Sequence, residues 1–154
     1  MKTIGTYAVT ECQNLESDIT IPDSVEIIDS YAFFACQSIT GIIFNDSSNL
    51  KTLSTGCFQL LARAKYAIFP SSLSTIGDIV LSSCNDLGEI KFLGMEAPSI
   101  TNSTFGTDSI SWTGRTANNR IIFVPTNSYG YEEGLWANIF DEDREVYFTL
   151  SKTL

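Results

Sequence analysis

Residues 21–44 read IPDSVEIIDSYAFFACQSITGIIF, and the order of letters in this stretch decides the fold. It closes on Ile39-x-x-Ile42-x-Phe44, whose last three positions alternate inward, outward, inward as a strand does. Its phrases recur along the chain. An aliphatic residue followed by a small or polar one stands at Ile4-Gly5, Ile28-Asp29, Leu53-Ser54, Ile76-Gly77 and, more loosely, Ile100-Thr101, at spacings of 24, 25, 23 and 24. A second landmark, Cys12, Cys36, Leu61 and Cys84, keeps spacings of 24, 25 and 23. A third is a short strand phrase ending near proline. It reads Ile19-Thr20-Ile21-Pro22, Ile42-Ile43-Phe44, Ala67-Ile68-Phe69-Pro70, Ile90-Lys91-Phe92 and Ile122-Phe123-Val124-Pro125.

A period of about 24 falls in the leucine-rich-repeat range. The L-x-x-L-x-L spacing returns at Leu87-x-x-Ile90-x-Phe92, in weaker form from Ala64 to Phe69, and with one extra residue from Leu15 to Ile21. A unit this short cannot bury its own apolar side, but stacked units form a parallel sheet over one continuous core. The expected fold is therefore a single leucine-rich-repeat domain over residues 1–154. It is a right-handed coil with one main parallel β-sheet, short turns or helical pieces opposite, and a C-terminal helix-and-strand cap. The units fall at about 1–27, 28–52, 53–75, 76–99 and 100–127, with the cap at about 128–154.

Residues 21–44 resemble the BspA-type leucine-rich repeat, in which I-P-x-S-V leads to I-G-x-x-A-F-x-x-C and then L-x-x-I-x-I. Residues 4–25 and 53–92 carry degraded copies. The third departs most, with Leu61 for the cysteine and Gly56-Cys57-Phe58 where the second has Tyr31-Ala32-Phe33. APSITNSTFG (97–106) followed by IIFVPTNSYGYEEGLWANIF (121–140) is similar to that family's closing unit. The resemblance implies an adhesin-like binding module at the cell surface or outside the cell. Its partner would be a protein or glycan on another cell or matrix.

The ends of a solenoid expose apolar rungs and need covering. Residues 128–140 suit a cap helix. Asn127 or Ser128 can serve as N-cap, Glu132 and Glu133 sit where the helix dipole favours anions, and Tyr131, Leu135 and Ile139 share one face. Glu145 to Leu150 then reads as a closing strand. At the other end the repeat phrasing begins by Ile4 with no polar cap before it. The expectation there is either further repeats upstream or a partner, self-association included. No signal peptide is visible, because Ile4 to Val9 is too short and too broken for an apolar core segment. The stretch between Phe92 and Ile121 is long for one connection, and its Asn102-Ser103-Thr104, Trp112 to Arg115 and Asn118-Asn119 suggest a hairpin-like excursion from the last repeat.

Composition narrows the function. The chain has 154 residues, 44% of them apolar and 18% charged, which suits one globular domain. No apolar run approaches the roughly 20 residues of a membrane-spanning helix, so membrane insertion is not expected. Nine Lys and Arg against 18 Asp and Glu give a net charge of −9, which repels nucleic-acid backbones. The absence of histidine rules out Ser-His-Asp triads, Cys-His dyads and His-dependent zinc sites. No motif calls for a cofactor or metal, and no catalytic residue is assigned. A carbohydrate-active enzyme using two carboxylates remains as an alternative, as does the capped end of a structural stalk with no ligand of its own.

Cys12, Cys36 and Cys84 share one repeat position, and Cys57 matches Ala32, so all four read as packing thiols. Asp141-Glu142-Asp143 with Glu145 lacks EF-hand spacing and reads as a solvated turn. Asn45-Asp46-Ser47 and Asn102-Ser103-Thr104 match the N-glycosylation triplet. The candidate binding surface is the outward row of the sheet. Ile43, Ile68, Lys91 and Phe123 form it, with Tyr66 and Glu89 alongside, because apolar residues on an exposed strand face mark interaction surfaces.

Overall fold

A computed structural model of the chain describes residues 2–106, 120–141 and 147–154. The backbone winds as a parallel β-solenoid of about five turns. One side of each turn contributes a four-residue strand: β2 (Asp18–Ile21), β4 (Gly41–Phe44), β6 (Tyr66–Phe69), β8 (Glu89–Phe92) and β9 (Ile121–Val124). These pair in parallel in that order, and β10 (Thr149–Lys152) joins beyond β9 to complete six strands. A second side carries two-residue strands, β1 (Thr3–Ile4), β3 (Ile27–Ile28), β5 (Thr52–Leu53) and β7 (Thr75–Ile76), in a smaller parallel sheet. The expected main sheet is thus joined by a minor one on a side where the sequence suggested turns. Thr75 bridges Ser99, which places the loose Ile100 landmark in the same column.

Register follows the repeat landmarks. Ile21 pairs with Phe44, Ile43 with Ile68, and Phe69 with Phe92. Inward columns Ile42, Ala67, Ile90, Ile122 and Phe44, Phe69, Phe92 are buried. The rings of Phe44, Phe69 and Phe92 follow one another at centroid distances of 5.9 and 5.3 Å. The sequence alternates because one face of each strand enters this core while the other does not.

The third side of each turn carries the smallest margin for error. Tyr7, Tyr31, Gly56 and Ile79 have φ between 49 and 61°, and Glu11, Ala35, Leu60 and Ser83 have φ between 53 and 63°. Both sets recur at spacings of 24, 25 and 23. A left-handed non-glycine residue costs about 1–2 kcal/mol. The compensation is visible in the next turn: the amides of Tyr31, Ala35, Gly56 and Leu60 donate to the carbonyls of Thr55, Gln59, Asp78 and Ser82 at 2.9–3.0 Å. The amides of Tyr7, Glu11 and Ile79 do the same, so at seven of these positions the left-handed backbone meets a carbonyl of the next turn.

The cysteine column lies inside. Cys36, Leu61 and Cys84 are fully buried, whereas Cys12, in the first turn, is half-buried. The Cys36 thiol donates to Val9 O at 2.7 Å and the Cys84 thiol to Phe58 O at 3.1 Å, each reaching back one turn. All four thiols are free.

The cap differs in detail from the sequence expectation. Helix α1 runs only from Gly134 to Ile139, with Glu133 as its N-cap residue in extended conformation. Gly130 and Gly134 both have positive φ, which prevents a helix from starting at Asn127 or Ser128. Tyr131 and Ile139 are buried as expected, but Leu135 is exposed and Trp136 takes the inward place. Trp136 packs edge-on against Phe92 at 5.3 Å and donates its indole N–H to Pro98 O at 2.7 Å. The closing strand is Thr149–Lys152, so it shares only Thr149 and Leu150 with the expected segment. Strand β9 sets this register, pairing Leu150 with Ile122. Asn102 to Thr104 do not leave the solenoid as expected but stack on the preceding turn, where Ser103 O and Thr104 O accept from Ile79 N and Leu81 N, while Trp112 to Arg115, Asn118-Asn119, and Glu142, Asp143 and Glu145 of the acidic cluster lie outside the described residues. Asp141 is exposed.

Burial pushes the thiols of Cys36 and Cys57 up, and that of Cys84 up to about 12, which suppresses the reactive thiolate. Under native conditions Cys12 should alkylate first, with Cys36, Cys57 and Cys84 reacting only as the chain opens. Mass spectrometry of a thiol-labelling time course checks the order, and early modification of Cys36 or Cys84 contradicts the buried column.

Candidate binding face

The alternation of each long strand directs every second residue away from the core. Two outward rows result. One runs Thr20, Ile43, Ile68, Lys91, Phe123 and Ser151, and the other Asp18, Gly41, Tyr66, Glu89, Ile121 and Thr149. All six residues singled out in the sequence therefore share one face, on four adjacent strands. Ile43, Tyr66, Ile68, Lys91 and Phe123 are half-buried and Glu89 is exposed. Neighbouring strands stand about 4.8 Å apart, so the candidates span about 15 Å.

The apolar row is interrupted. Lys91 sits between Ile68 and Phe123, and its Nζ lies 5.9 Å from the Phe123 ring centroid. That contact is a cation–π pair, of order 0.5–1 kcal/mol where solvent reaches it. The face accordingly offers a small aliphatic patch, Ile43 and Ile68, flanked by a cation held against an aromatic ring.

Its other row contains a device the sequence reading did not identify. Tyr66 lies across β4 and donates its hydroxyl hydrogen to Asp18 Oδ2, two strands away. Gly41 is what allows this, because a Cβ there would stand 2.6 Å from Tyr66 Cζ. Thr40 Oγ1 donates to the other carboxylate oxygen at 2.7 Å. The Tyr66 and Thr40 donors hold the Asp18 carboxyl below its ordinary value of 3.8, and the same bond raises the Tyr66 phenol. The only signal available beforehand was column identity, since Asp18, Gly41 and Tyr66 occupy equivalent strand positions.

The same pattern recurs at the turns. Asp23 accepts from Ser47 and from Asn45 at 3.0 Å, and Asp78 accepts from Thr101 at 2.6 Å and Ser103 at 2.8 Å. Both carboxyls are held below the ordinary range by these bonds. In each case an acid in one turn is met by hydroxyl or amide donors of the following turn. Both glycosylation triplets are engaged in such contacts. Asn45 donates to Asp23, and the buried Thr104 donates to Gly77 O at 2.9 Å.

A second concavity, of about 740 Å³, lies where the last turns meet the cap. Lys51, Ser71 to Ser74, Glu96 to Ser99 and Tyr129 border it. None of these residues belongs to the outward sheet face. Among the described residues no group of three or more His, Cys, Asp or Glu side chains is placed to hold a metal ion. No helix among them is long and apolar enough to cross a membrane.

A solenoid of short parallel strands, with buried cysteine and phenylalanine columns and an aromatic cap, defines a leucine-rich-repeat protein. The sequence matches the model of the BspA type leucine rich repeat region in six copies across residues 2–132, and the chain belongs to that family. No curated protein matches closely enough to add to this assignment. Proteins of the family are commonly surface-associated, typically non-catalytic and often used for protein interaction or adhesion.

The sign of the acid dependence follows from the lowered carboxyls. A group whose folded value lies below its unfolded value stabilises the fold at higher pH, and that contribution disappears as pH falls through the folded value. Thermal stability should therefore decline below about pH 4, the unfolded Asp range. The Asp18 carboxyl carbon, followed by NMR, should titrate below 3.8, and Tyr66→Phe should move it upward. An unchanged midpoint in the variant would dissociate Tyr66 from Asp18.

Proposed function

We propose that the protein is a non-catalytic interaction module at a cell surface or outside the cell. It would bind a macromolecule of a host, neighbouring cell or matrix through the outer face of its six-stranded sheet. The observation that carries this reading is the pair of half-buried Ile43 and Ile68, with Phe123 beyond Lys91, on a strand face directed away from the core. Strand-borne side chains are held in place by the core behind them, so little ordering entropy is lost when a partner docks. Ile43 and Ile68 supply apolar contact. Lys91, Glu89 and Tyr66 supply charge and hydrogen bonding at the rim, the arrangement common to protein interfaces.

The first turn presents an open apolar layer, which a preceding repeat or a second copy of this chain would cover. Ile4, Val9, Cys12 and Leu15 are only half-buried, whereas their equivalents one turn on, Ile28, Phe33, Cys36 and Ile39, are at most 5% exposed. Strands β1 and β2 are also edge strands of their sheets. A second copy covering this layer would restore the burial seen in every later turn.

Replacing Ile43 and Ile68 together by Asp should change stability by no more than about 1 kcal/mol per site, because neither side chain enters the core. The same variant should weaken capture of matrix proteins by at least about tenfold. Surface plasmon resonance with a denaturation curve reads both, and unaltered capture by the folded variant would remove the sheet face from consideration. For the first turn, sedimentation velocity over a concentration series should show a dimer that Val9→Asp/Leu15→Asp abolishes. A monomer at all concentrations would reject self-association.

A further inference from the structure

The concavity between the last turns and the cap has a chemistry unlike that of the sheet face. At about 740 Å³ it lies within the range of about 300–1,000 Å³ typical of small-molecule sites. Tyr129 stands on its wall with 58% of its surface exposed. The Tyr129 backbone is fixed, since its amide donates to Met95 O at 2.8 Å and its carbonyl accepts from Ala97 N at 3.0 Å. Gly130 follows with φ of 85°, and a Cβ there would come within 3.1 Å of Ala97 Cβ. The ring is thus displayed on a rigid support rather than on a mobile loop.

Around it are groups that the fold leaves free to act on something else. Lys51, Glu96 and Glu133 are exposed at the concavity. None of the three takes part in the ion pairs found among the described residues, which join Lys2 to Glu26 and Lys152 to Glu132. The single hydroxyl hydrogen of Ser72 is shared between Ser48 O and Leu50 O, Ser74 donates to Lys51 O, and Ser99 donates to Ser74 O. With their hydrogens committed, these hydroxyls face a ligand as acceptors. The main chain of the walls is already paired: Ser74 N bonds Lys51 O, Ser99 N bonds Ser74 O, and Ala97 N bonds Tyr129 O. A polypeptide seeking a strand edge finds little backbone to use here.

An aromatic face, two carboxylates, hydroxyl acceptors and one ammonium make a set suited to a ligand rich in O–H donors with an apolar ring face. From this juxtaposition we infer that the cleft between the last turns and the cap is a carbohydrate-binding subsite for a neutral saccharide. Tyr129 is the platform for the sugar's C–H face, Glu96 and Glu133 accept hydroxyl hydrogens, and Lys51 donates to a ring or hydroxyl oxygen. The site is independent of the sheet face and shares no residue with it.

Position in the repeat supports this. From the long strand to the short strand, Ile21 to Ile28 is seven residues, Phe44 to Leu53 nine, Phe69 to Ile76 seven and Phe92 to Ile100 eight. From the short strand to the cysteine column, Ile4 to Cys12, Ile28 to Cys36, Leu53 to Leu61 and Ile76 to Cys84 are all eight. Lys51, Ser71 to Ser74 and Glu96 to Ser99 all lie in the corner whose length varies most. Solenoid insertions gather on the side where binding groups are displayed.

The test uses the whole chain, labelled with 15N, and follows amide shifts during titration with maltotriose, triacetylchitotriose and a neutral, end-blocked Ser/Ala pentapeptide. At least one trisaccharide should move the amides of Ser72, Ser74, Ser99 and Tyr129. Tyr129→Ala should weaken that response about tenfold or more, and Glu96→Gln/Glu133→Gln should weaken it as well. Because the Tyr129 side chain is exposed, the alanine variant should unfold at the wild-type temperature. The Ile43→Asp/Ile68→Asp variant should bind the sugar unchanged, which separates this site from the sheet face. The inference is overturned if neither trisaccharide perturbs these amides at tens of millimolar. It is equally overturned if the pentapeptide does so in their place, or if Tyr129→Ala binds as wild type.

Discussion

The register of successive turns is the constraint on which the remaining structure depends. In a parallel sheet with period-two strands, a slip of one residue sends every inward side chain outward. In β4 such a slip would place Ile43 in the core and expose Ile42 and Phe44, all of whose neighbours are fixed by β2 and β6. The phenylalanine column makes the penalty large. Phe44, Phe69 and Phe92 each bury an entire ring against the next, and truncating one such ring to alanine costs about 3–5 kcal/mol. Register then determines more than stability. It decides that Ile43, Ile68, Lys91 and Phe123 share a face, that Tyr66 finds Asp18 across Gly41, and that Cys84 finds the Phe58 carbonyl.

The three sides of each turn bear that constraint unequally. The left-handed side tolerates no change of length, because its amides must meet carbonyls of the next turn at two places, and the count from short strand to cysteine column is eight every time. The corner leaving the long strand absorbs the irregularity instead. There the turn itself is made by a single local bond, Val25 N to Pro22 O, Ser48 N to Asn45 O and Leu73 N to Pro70 O, and additional residues are accommodated before the short strand begins. Most of the variation thus falls in the part of the turn that does not set the register, the one other extra residue lying between Leu15 and Ile21 in the first turn.

This division explains what was legible in the sequence. Column identity is written in spacing alone, so the core, the cysteine column and the outward face could be placed without coordinates. The minor sheet was missed because two-residue strands such as Thr75–Ile76 are too short for alternation to appear. The cap helix begins later than the spacing of Tyr131, Leu135 and Ile139 suggests, because Gly130 and Gly134 adopt left-handed conformations, which side-chain periodicity does not show. Tyr66 was named without its partner, since the reach to Asp18 depends on an intervening glycine rather than on either residue. The cleft near Tyr129 was invisible for a different reason. It assembles three corner segments from different turns with the cap, and no periodicity in any one of them reveals it.

The acidity of the chain acquires a structural meaning at the edges between turns. Asp18, Asp23 and Asp78 are all satisfied by donors from later turns, and those bonds hold all three carboxyls below their ordinary range. A carboxylate in that position accepts several neutral donors at once without a cation, so the solenoid ties its turns together at the surface while remaining net negative. Cations are correspondingly few, and the fold uses Lys91 against Phe123 rather than against an acid. A positive charge resting on an aromatic ring keeps its remaining hydrogens available. On a molecule with charge −9, such a lysine is a local exception to the sign of the surrounding field.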